Sequence, residues 1–419
     1  MTSLNFFYLA KKLLPNQLGV LSILITIPSV GYCLFSSGYH KAAIYYIGRK
    51  VYALETILAN GLVICILLEG VFALLLWGGK HLLASLFVSF SFTLFGIAIL
   101  SIPIQIYLFY LAEACVAAER VEVTILARLT PPIVYVGGCV WAGLSGELNQ
   151  EVAFILYVIG ILGAGVVGLT TALYKSQRRE LFRFNWQAMI VCLQFGRKAQ
   201  LGELAQYLAL RLDLILVGVW AGMTASGYYS MATRIAETIW LIAQATQLAL
   251  AAKVAQGFQD TLQAKGRRLE RAVRYLAAIS LLVSIGVIIV SWIVFAFFLP
   301  SYYPAFLFLL ALAPGQVALA LFLLMMGNLV GDGYPSVATK MQLTLFGLSL
   351  VFYLLLIPWL GAWGASVATS VTYLMSTALT TLILARMYKI RVRDFLLWKR
   401  EDLEYLKASR QHFRKYLIV

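Results

Sequence analysis

The sequence predicts an all-α polytopic membrane protein, with about twelve transmembrane helices, the first incomplete, in two six-helix lobes around a central cavity. Three observations carry this expectation. Hydrophobic residues make up 62% of the chain and charged ones 12%, whereas soluble domains carry about 25% charged residues. The apolar residues fall into runs of roughly 20, the length that crosses a bilayer as a helix. Lysine and arginine collect in alternate connections between those runs, the positive-inside pattern.

Taken in order, Met1–Ala10 is apolar but too short to cross, and Lys11 and Lys12 follow it directly. It has neither a basic leader nor a clear small-residue cleavage site, so no cleavable signal is expected. Spans follow at about Leu18–Gly38, Leu54–Trp77, Phe87–Leu111, Thr124–Leu144 and Val152–Tyr174. The second half holds Gln200–Gly222, Tyr228–Ala252, Val273–Leu299, Ala305–Val330, Val337–Trp359 and Ala362–Ala385. The aqueous segments between them are all too short to form a soluble domain.

Charge sets the orientation. With Arg49 and Lys50 in the cytoplasm, the same side receives Arg120, Arg128, the clusters Lys175–Lys198 and Lys253–Arg274, Lys340 and the tail from Arg386 onward. The opposite side holds only Lys11, Lys12 and Lys80, with the acidic GELNQE at Gly146–Glu151. Trp77, Trp141, Trp220, Trp359 and Trp363 mark outer span ends, while Trp240 stands mid-span and is expected to face the interior. The net charge of +15 is thus a topology signal, and no nucleic-acid partner is expected. Cys33, Cys65, Cys115, Cys139 and Cys192 lie in or beside apolar segments without paired spacing, and the three histidines are scattered. No disulfide framework, metal site or cofactor is expected.

A faint repeat aligns QLGVLSILITIPSVGYCL (Gln17–Leu34) with ASGYYSMATRIAETIWLI (Ala225–Ile242). The basic stretch between them divides the chain into a first lobe at 1–175, a linker at 176–199, a second lobe at 200–386 and a tail at 387–419. Six spans per half is the arrangement of transporters built from repeated lobes around a midplane site. In the tail, Leu396, Leu403, Leu406, Phe413 and Leu417 recur at helical spacing among Lys399, Arg400, Lys407, Arg410, Arg414 and Lys415. This predicts a basic amphipathic helix lying on the inner leaflet.

The stretch Gln200–Gln247 concentrates the intramembrane charge. Its two spans, joined by a turn at Ala225–Gly227, carry Arg211, Asp213, Arg234 and Glu237 well inside. A charge at that depth costs about 2.5–3.5 kcal/mol on the mildest scale, so it must face protein or a wet cavity. Folding the pair on its turn sets Arg211 level with Glu237 and Asp213 level with Arg234. These charges either lock two helices or stand open to an anionic cargo. Glu69 and Glu113 are candidates for a coupling proton or for a polar helix contact, while Glu55 and Glu203, near span ends, are expected to be solvated. Pro28, Pro103 and Pro314, the last beside Gly315, are hinges or static kinks. GAGVVG (Gly163–Gly168) and GAWGAS (Gly361–Ser366) suit close helix packing and follow no strand, so they predict no nucleotide site.

The run ALRLDLILVGVWAGMTASGYYSMATRIAE, then NLVGDGYPSVATK (Asn328–Lys340), GAWGASVATSVTYL (Gly361–Leu374) and LLPNQLGVLSIL near the start resemble the polysaccharide transporter family, the flippases of lipid-linked oligosaccharides. That family sits in the larger group that includes multidrug and toxin extruders. The resemblance covers nearly the whole chain through individually degenerate motifs. It implies a cationic, laterally opening cavity and movement of undecaprenyl-diphosphate-linked sugars from the inner to the outer leaflet, with no covalent chemistry. The family's first helix belongs before Lys11, where only ten residues stand here; either that helix is truncated or the true start lies upstream, and any cavity charge it carries is not among these residues. Arg211 and Arg234 are the expected phosphate contacts, because a guanidinium fork suits bidentate oxyanion binding, with Asp213 and Glu237 holding or tuning them. The expected partners are the lipid-linked oligosaccharide, membrane lipids, and a polysaccharide polymerase or glycosyltransferases. The competing expectation is a multidrug exporter of the same fold, which favours an acidic cavity. A third is a membrane glycosyltransferase or polymerase, which generally needs a sizeable outer loop or an exposed acidic site.

Overall fold

The computed structural model describes residues 3–78, 91–174, 184–256 and 261–396. Within them the regular structure is helical, as sequence-long apolar runs in lipid require: only a helix satisfies its own backbone there. The first part contains α1 (Ser3–Lys12), α2 (Pro15–Phe35), α3 (Tyr39–Gly48), α4 (Leu54–Gly78), α5 (Phe92–Ala117), α6 (Val121–Ser145) and α7 (Gln150–Tyr174). The long helices α8 (Trp186–Ala221), α9 (Met223–Gln256) and α10 (Leu262–Ile293) follow, then α11 (Tyr303–Gly331), α12 (Pro335–Leu360), α13 (Ala362–Tyr388) and the short α14 (Arg393–Leu396). Among the described residues, 10 helices are long and apolar enough to cross a membrane. They coincide with all the expected full-length spans but Tyr228–Ala252, which lies in α9. The tail from 397, with its expected amphipathic helix, and Lys80 lie outside the described residues.

Several expected connections are helix instead. Of the expected basic linker, Arg197 and Lys198 lie about three turns inside α8, a helix opened by Asn185, whose side chain accepts from the Ala188 amide at 2.9 Å, while 175–183 lie outside the described residues. Arg128 lies two turns inside α6, and Lys265, Glu270 and Arg274 lie buried in α10. Pattern reading had placed all of these in aqueous loops because charge density, without tertiary contacts, looks the same for a loop and for a helix end.

The chain packs as two compact units, Met1–Met231 with Leu299–Ala305 and Tyr353–Ala365, and Ala232–Phe298 with Phe306–Phe352 and Ser366–Val419. α8 and the first turns of α9, assigned from sequence to the second half, pack in the first unit. There α2 packs on α5, α7 and α8, and α3 packs on α5 and α8. The core at this end joins Tyr32, Tyr39, Tyr110, Cys115 and Cys192. Tyr39 donates to the Ile57 carbonyl at 3.0 Å, and burial holds its phenol well above the usual value, so it remains a neutral donor. Tyr110 donates to the Ser36 carbonyl.

The two segments of the faint repeat meet in this unit. Gly19 and Gly227, equivalent in the alignment, face each other, and a Cβ on Gly19 would stand 1.9 Å from the Met223 carbonyl oxygen. A Cβ on Gly227 would stand 1.8 Å from the Pro15 carbonyl oxygen. Ser22 donates to Ser230, again its equivalent, at 3.0 Å. The contact is therefore locally two-fold, and it exists because glycine lets two helix backbones touch.

In the second unit, Pro314 and Gly315 sit where α11 crosses α13. Ser370 donates to the Ala311 carbonyl beside the proline break, and Thr377 donates to Ala318 at 2.8 Å. Asp332, in the turn between α11 and α12, accepts from Tyr388 at 2.6 Å and faces Lys265 at 3.6 Å and Arg268 at 3.8 Å. Arg274 lies 3.7 Å from Glu270 and donates to the Asp394 carbonyl. A charged clamp thus ties α10 to the α11–α12 turn, the end of α13 and α14.

Candidate functional site

Two cavities in the first unit lie on either side of one turn. After α2, Ser37 and Gly38 take positive φ values of 50° and 65°, which turns the chain sharply into α3. Glycine is required at 38 on a second ground: a Cβ there would stand 2.2 Å from the Gly196 carbonyl oxygen of α8. Gln200, one turn further along α8, donates to the Cys33 carbonyl and to Ser36 Oγ, both at 2.6 Å. The turn is thereby pinned to α8, and it presents His40 and Lys41.

Those two residues open a chamber of about 490 Å³ that also receives Glu203 from α8 and Glu113 from α5. Lys41 Nζ lies 2.7 Å from Glu203 Oε2, and His40 Nε2 lies 3.8 Å from the same oxygen. The Lys41 and Glu203 side chains are 35% and 46% exposed, so the pair stands at the mouth. His40 is 5% exposed, and its Nδ1 has no hydrogen-bond partner. Glu113 is engaged from α6 by Arg128 at 2.5 Å. Aromatic rings form the rest of the wall: Phe109 stacks on Tyr32 at 4.3 Å, and Tyr45 stacks on Phe195 at 4.8 Å under the Arg49 guanidinium. Phe109 also borders a further cavity, of about 360 Å³, lined by Gln105, Arg128, Pro131, Pro132 and Tyr135.

Before the turn the surroundings change completely. A groove of about 380 Å³ runs along α2 past Ile23, Ile27, Leu34 and Phe35, with Phe95 and Ile102 from α5 and Ile215 and Val219 from α8. Its lining side chains are apolar. Leu34, Phe35 and Val219 are exposed at its edge. Only Ser36, Ser37, Gly38 and Tyr39 separate Phe35, in the groove, from His40, in the chamber. Chemically, the arrangement suits an amphiphile with a polar, charged head and a long hydrocarbon tail.

The sequence-predicted residues are placed as follows. Asp213 is 4% exposed and accepts from the Tyr229 hydroxyl at 2.6 Å and from the Leu214 amide at 2.7 Å. Arg234 pairs with Glu237 on its own helix at 3.5 Å, both half-buried. Arg211 and Glu69 are half-buried. Pro28 and Pro103 lie buried inside continuous helices. Glu203, expected to be merely solvated, is instead the counter-ion of Lys41. His40, Lys41 and Arg128 were not singled out by sequence reading. The nearest signal was the sharp Ser37–Gly38 turn at a span end.

A bundle of this length and apolarity, with charge in its interior, defines a polytopic membrane protein, and comparison with solved structures places its fold. The chain is similar to the lipid II flippase MurJ in an inward closed conformation, at 12% identity and TM-score 0.71, covering 94% of this chain and 86% of that one. It is also similar to a multidrug resistance MATE family transporter of the MOP superfamily in its inward-facing conformation, at 12% identity and TM-score 0.67, covering 93% and 95%. The outward-facing conformation of such a transporter gives 9% identity and TM-score 0.54, covering 90% and 94%. The fold is therefore the two-lobed fold of these transporters. The particular family follows from sequence: residues 8–306 match the model of the polysaccharide biosynthesis protein family, and the chain belongs to that family. No curated protein matches its sequence.

Proposed function

We propose that this protein is a flippase that moves an undecaprenyl-diphosphate-linked oligosaccharide, of the O-antigen kind, from the inner to the outer leaflet of the cell's inner membrane. The observation that carries the reading is the charged chamber at His40, Lys41 and Glu203 beside the groove of apolar side chains along α2, one turn apart. A diphosphate with a sugar head cannot cross hydrocarbon unaided, because each charge there costs several kcal/mol. Fixed cations and bound water replace its hydration while the polyprenyl tail stays in an apolar groove. Family membership supports a role in polysaccharide assembly. The C-terminus is cytoplasmic in this account, and polymerase or glycosyltransferases are the partners that consume or supply the lipid.

Arg211 and Arg234 each meet the phosphate during alternating access, with Asp213 and Glu237 tuning them and Glu69 and Glu113 as the sites of ion coupling. Pro28, Pro103 and the Pro314–Gly315 pair supply bending. The reading as a multidrug exporter of the same fold requires acids free for cationic drugs. Glu113 and Glu203, the chamber's two acids, are each engaged by a cation, which favours the anionic cargo.

The test is deletion of the gene in its host and complementation with wild type, Arg211→Ala or Arg234→Ala, with membrane abundance measured alongside. Wild type restores surface polysaccharide, and both variants fail although normally abundant. An Arg234→Ala, Glu237→Ala double variant does not recover export. Full export by both single variants overturns the arginine assignment, and gain of drug resistance without any polysaccharide phenotype overturns the flippase.

A further inference from the structure

The chamber holds its own anion. Glu203 places one oxygen 2.7 Å from Lys41 Nζ and 3.8 Å from His40 Nε2. His40 is almost wholly buried yet leaves Nδ1 without a hydrogen-bond partner. The remaining charged groups here are Glu113 of α5, already engaged by Arg128 of α6, and Arg49, set over Tyr45. A carboxylate and a phosphate oxygen ask the same of their surroundings: both only accept, and both are strongest against charged donors.

We infer that Glu203 is a resident stand-in for the diphosphate of the lipid substrate, occupying Lys41 and His40 until that head displaces it; this deepens the flippase reading and rests on it. The Lys41–Glu203 pair is open to water at the mouth, where solvent screens it and eases its exchange for a multiply charged head. The geometry of the fold supports exchange without unfolding. α8 stays attached to the α2–α3 turn through Gln200 and through the Gly38–Gly196 contact, neither of which involves Glu203. The displaced carboxylate gains water at the mouth, and the tail leads from the head into the groove that ends at Phe35. Glu203 thereby also discriminates: a singly charged or neutral head competes poorly against it.

The test uses the full chain in nanodiscs of neutral lipid, titrated with geranylgeranyl diphosphate, geranylgeraniol and inorganic pyrophosphate. Glu203→Gln should bind geranylgeranyl diphosphate about tenfold tighter than wild type, and Lys41→Gln about tenfold weaker, the scale on which one close charge acts on affinity. The double variant should lose the gain, and geranylgeraniol should bind all of them alike. Glu203→Gln binding no tighter, with an unchanged unfolding temperature, overturns the inference. So does Lys41→Gln binding like wild type, which decides the matter even where Glu203→Gln fails to fold. Pyrophosphate binding as tightly as the lipid would assign the site to a soluble anion instead. Wild type that binds no diphosphate at all removes the flippase reading itself.

Discussion

A single methyl group at position 227 puts the seam between α2 and α9 under direct test. The Cβ of Gly227→Ala would stand 1.8 Å from the Pro15 carbonyl oxygen, and real Cβ contacts are essentially never under 3.0 Å, so the backbones must part by 3.0 − 1.8 = 1.2 Å. The obstacle is backbone on both sides, and no side chain can swing away. Parting by that much also stretches the Ser22–Ser230 bond, now 3.0 Å, beyond hydrogen-bonding range. Overpacking costs about 1–3 kcal/mol, and a lost interhelical bond in a membrane adds about 0.6. Alanine returns about 1 kcal/mol of helix propensity. The net loss of about 0.6–2.6 kcal/mol corresponds to a fall in Tm of roughly 1–10 °C for a unit of this size. Thermal unfolding of the purified full chain measures it, with Gly165→Ala as control, because a Cβ at 165 meets nothing within 4 Å. Equal or higher Tm for Gly227→Ala than for the control refutes the close seam.

Other perturbations probe other parts of the chain. Tyr388→Phe removes the donor to buried Asp332, a hydrogen bond to a charged group, and should cost about 1.5–3 kcal/mol; an unchanged unfolding temperature contradicts this. Cysteine at Glu147 should label with an impermeant reagent in intact cells while cysteine at Ser409 should not; labelling at 409 overturns the orientation. Deleting residues 399–419 removes basic side chains that each contribute about 1 kcal/mol at an anionic surface. Some export should survive that deletion. Complete loss from a normally abundant truncation shows that the tail takes part in transport.

The spans were legible because hydrocarbon demands long apolar helices, and α4, α5, α11 and α12 meet that demand in their local sequence alone. The repeat was legible for a similar reason: Gly19 and Gly227 keep the same residue because the same backbone contact is made twice. The chamber was not. His40 and Lys41 meet Glu203 across more than 160 residues of chain, and one sequence holds no trace of that meeting. The apolar groove was hidden by the solvent itself. In a bilayer the lipid-facing and cavity-facing sides of α2 are both apolar, so periodicity does not separate Leu34 and Phe35 from ordinary lipid contacts. The Arg234–Glu237 pair stands three residues apart on one helix, a spacing that is legible in the sequence.

The most direct test of the account is transbilayer movement itself. Purified protein in proteoliposomes would be given a fluorescent polyprenyl-diphosphate-linked sugar, and the fraction reachable by an impermeant quencher followed over time. The account predicts that wild type lets the quencher reach nearly all of the lipid, while Lys41→Gln and Arg211→Ala leave about the half already in the outer leaflet reachable, as protein-free vesicles do. Wild-type vesicles indistinguishable from protein-free ones, with the protein shown to be folded and inserted, would contradict it.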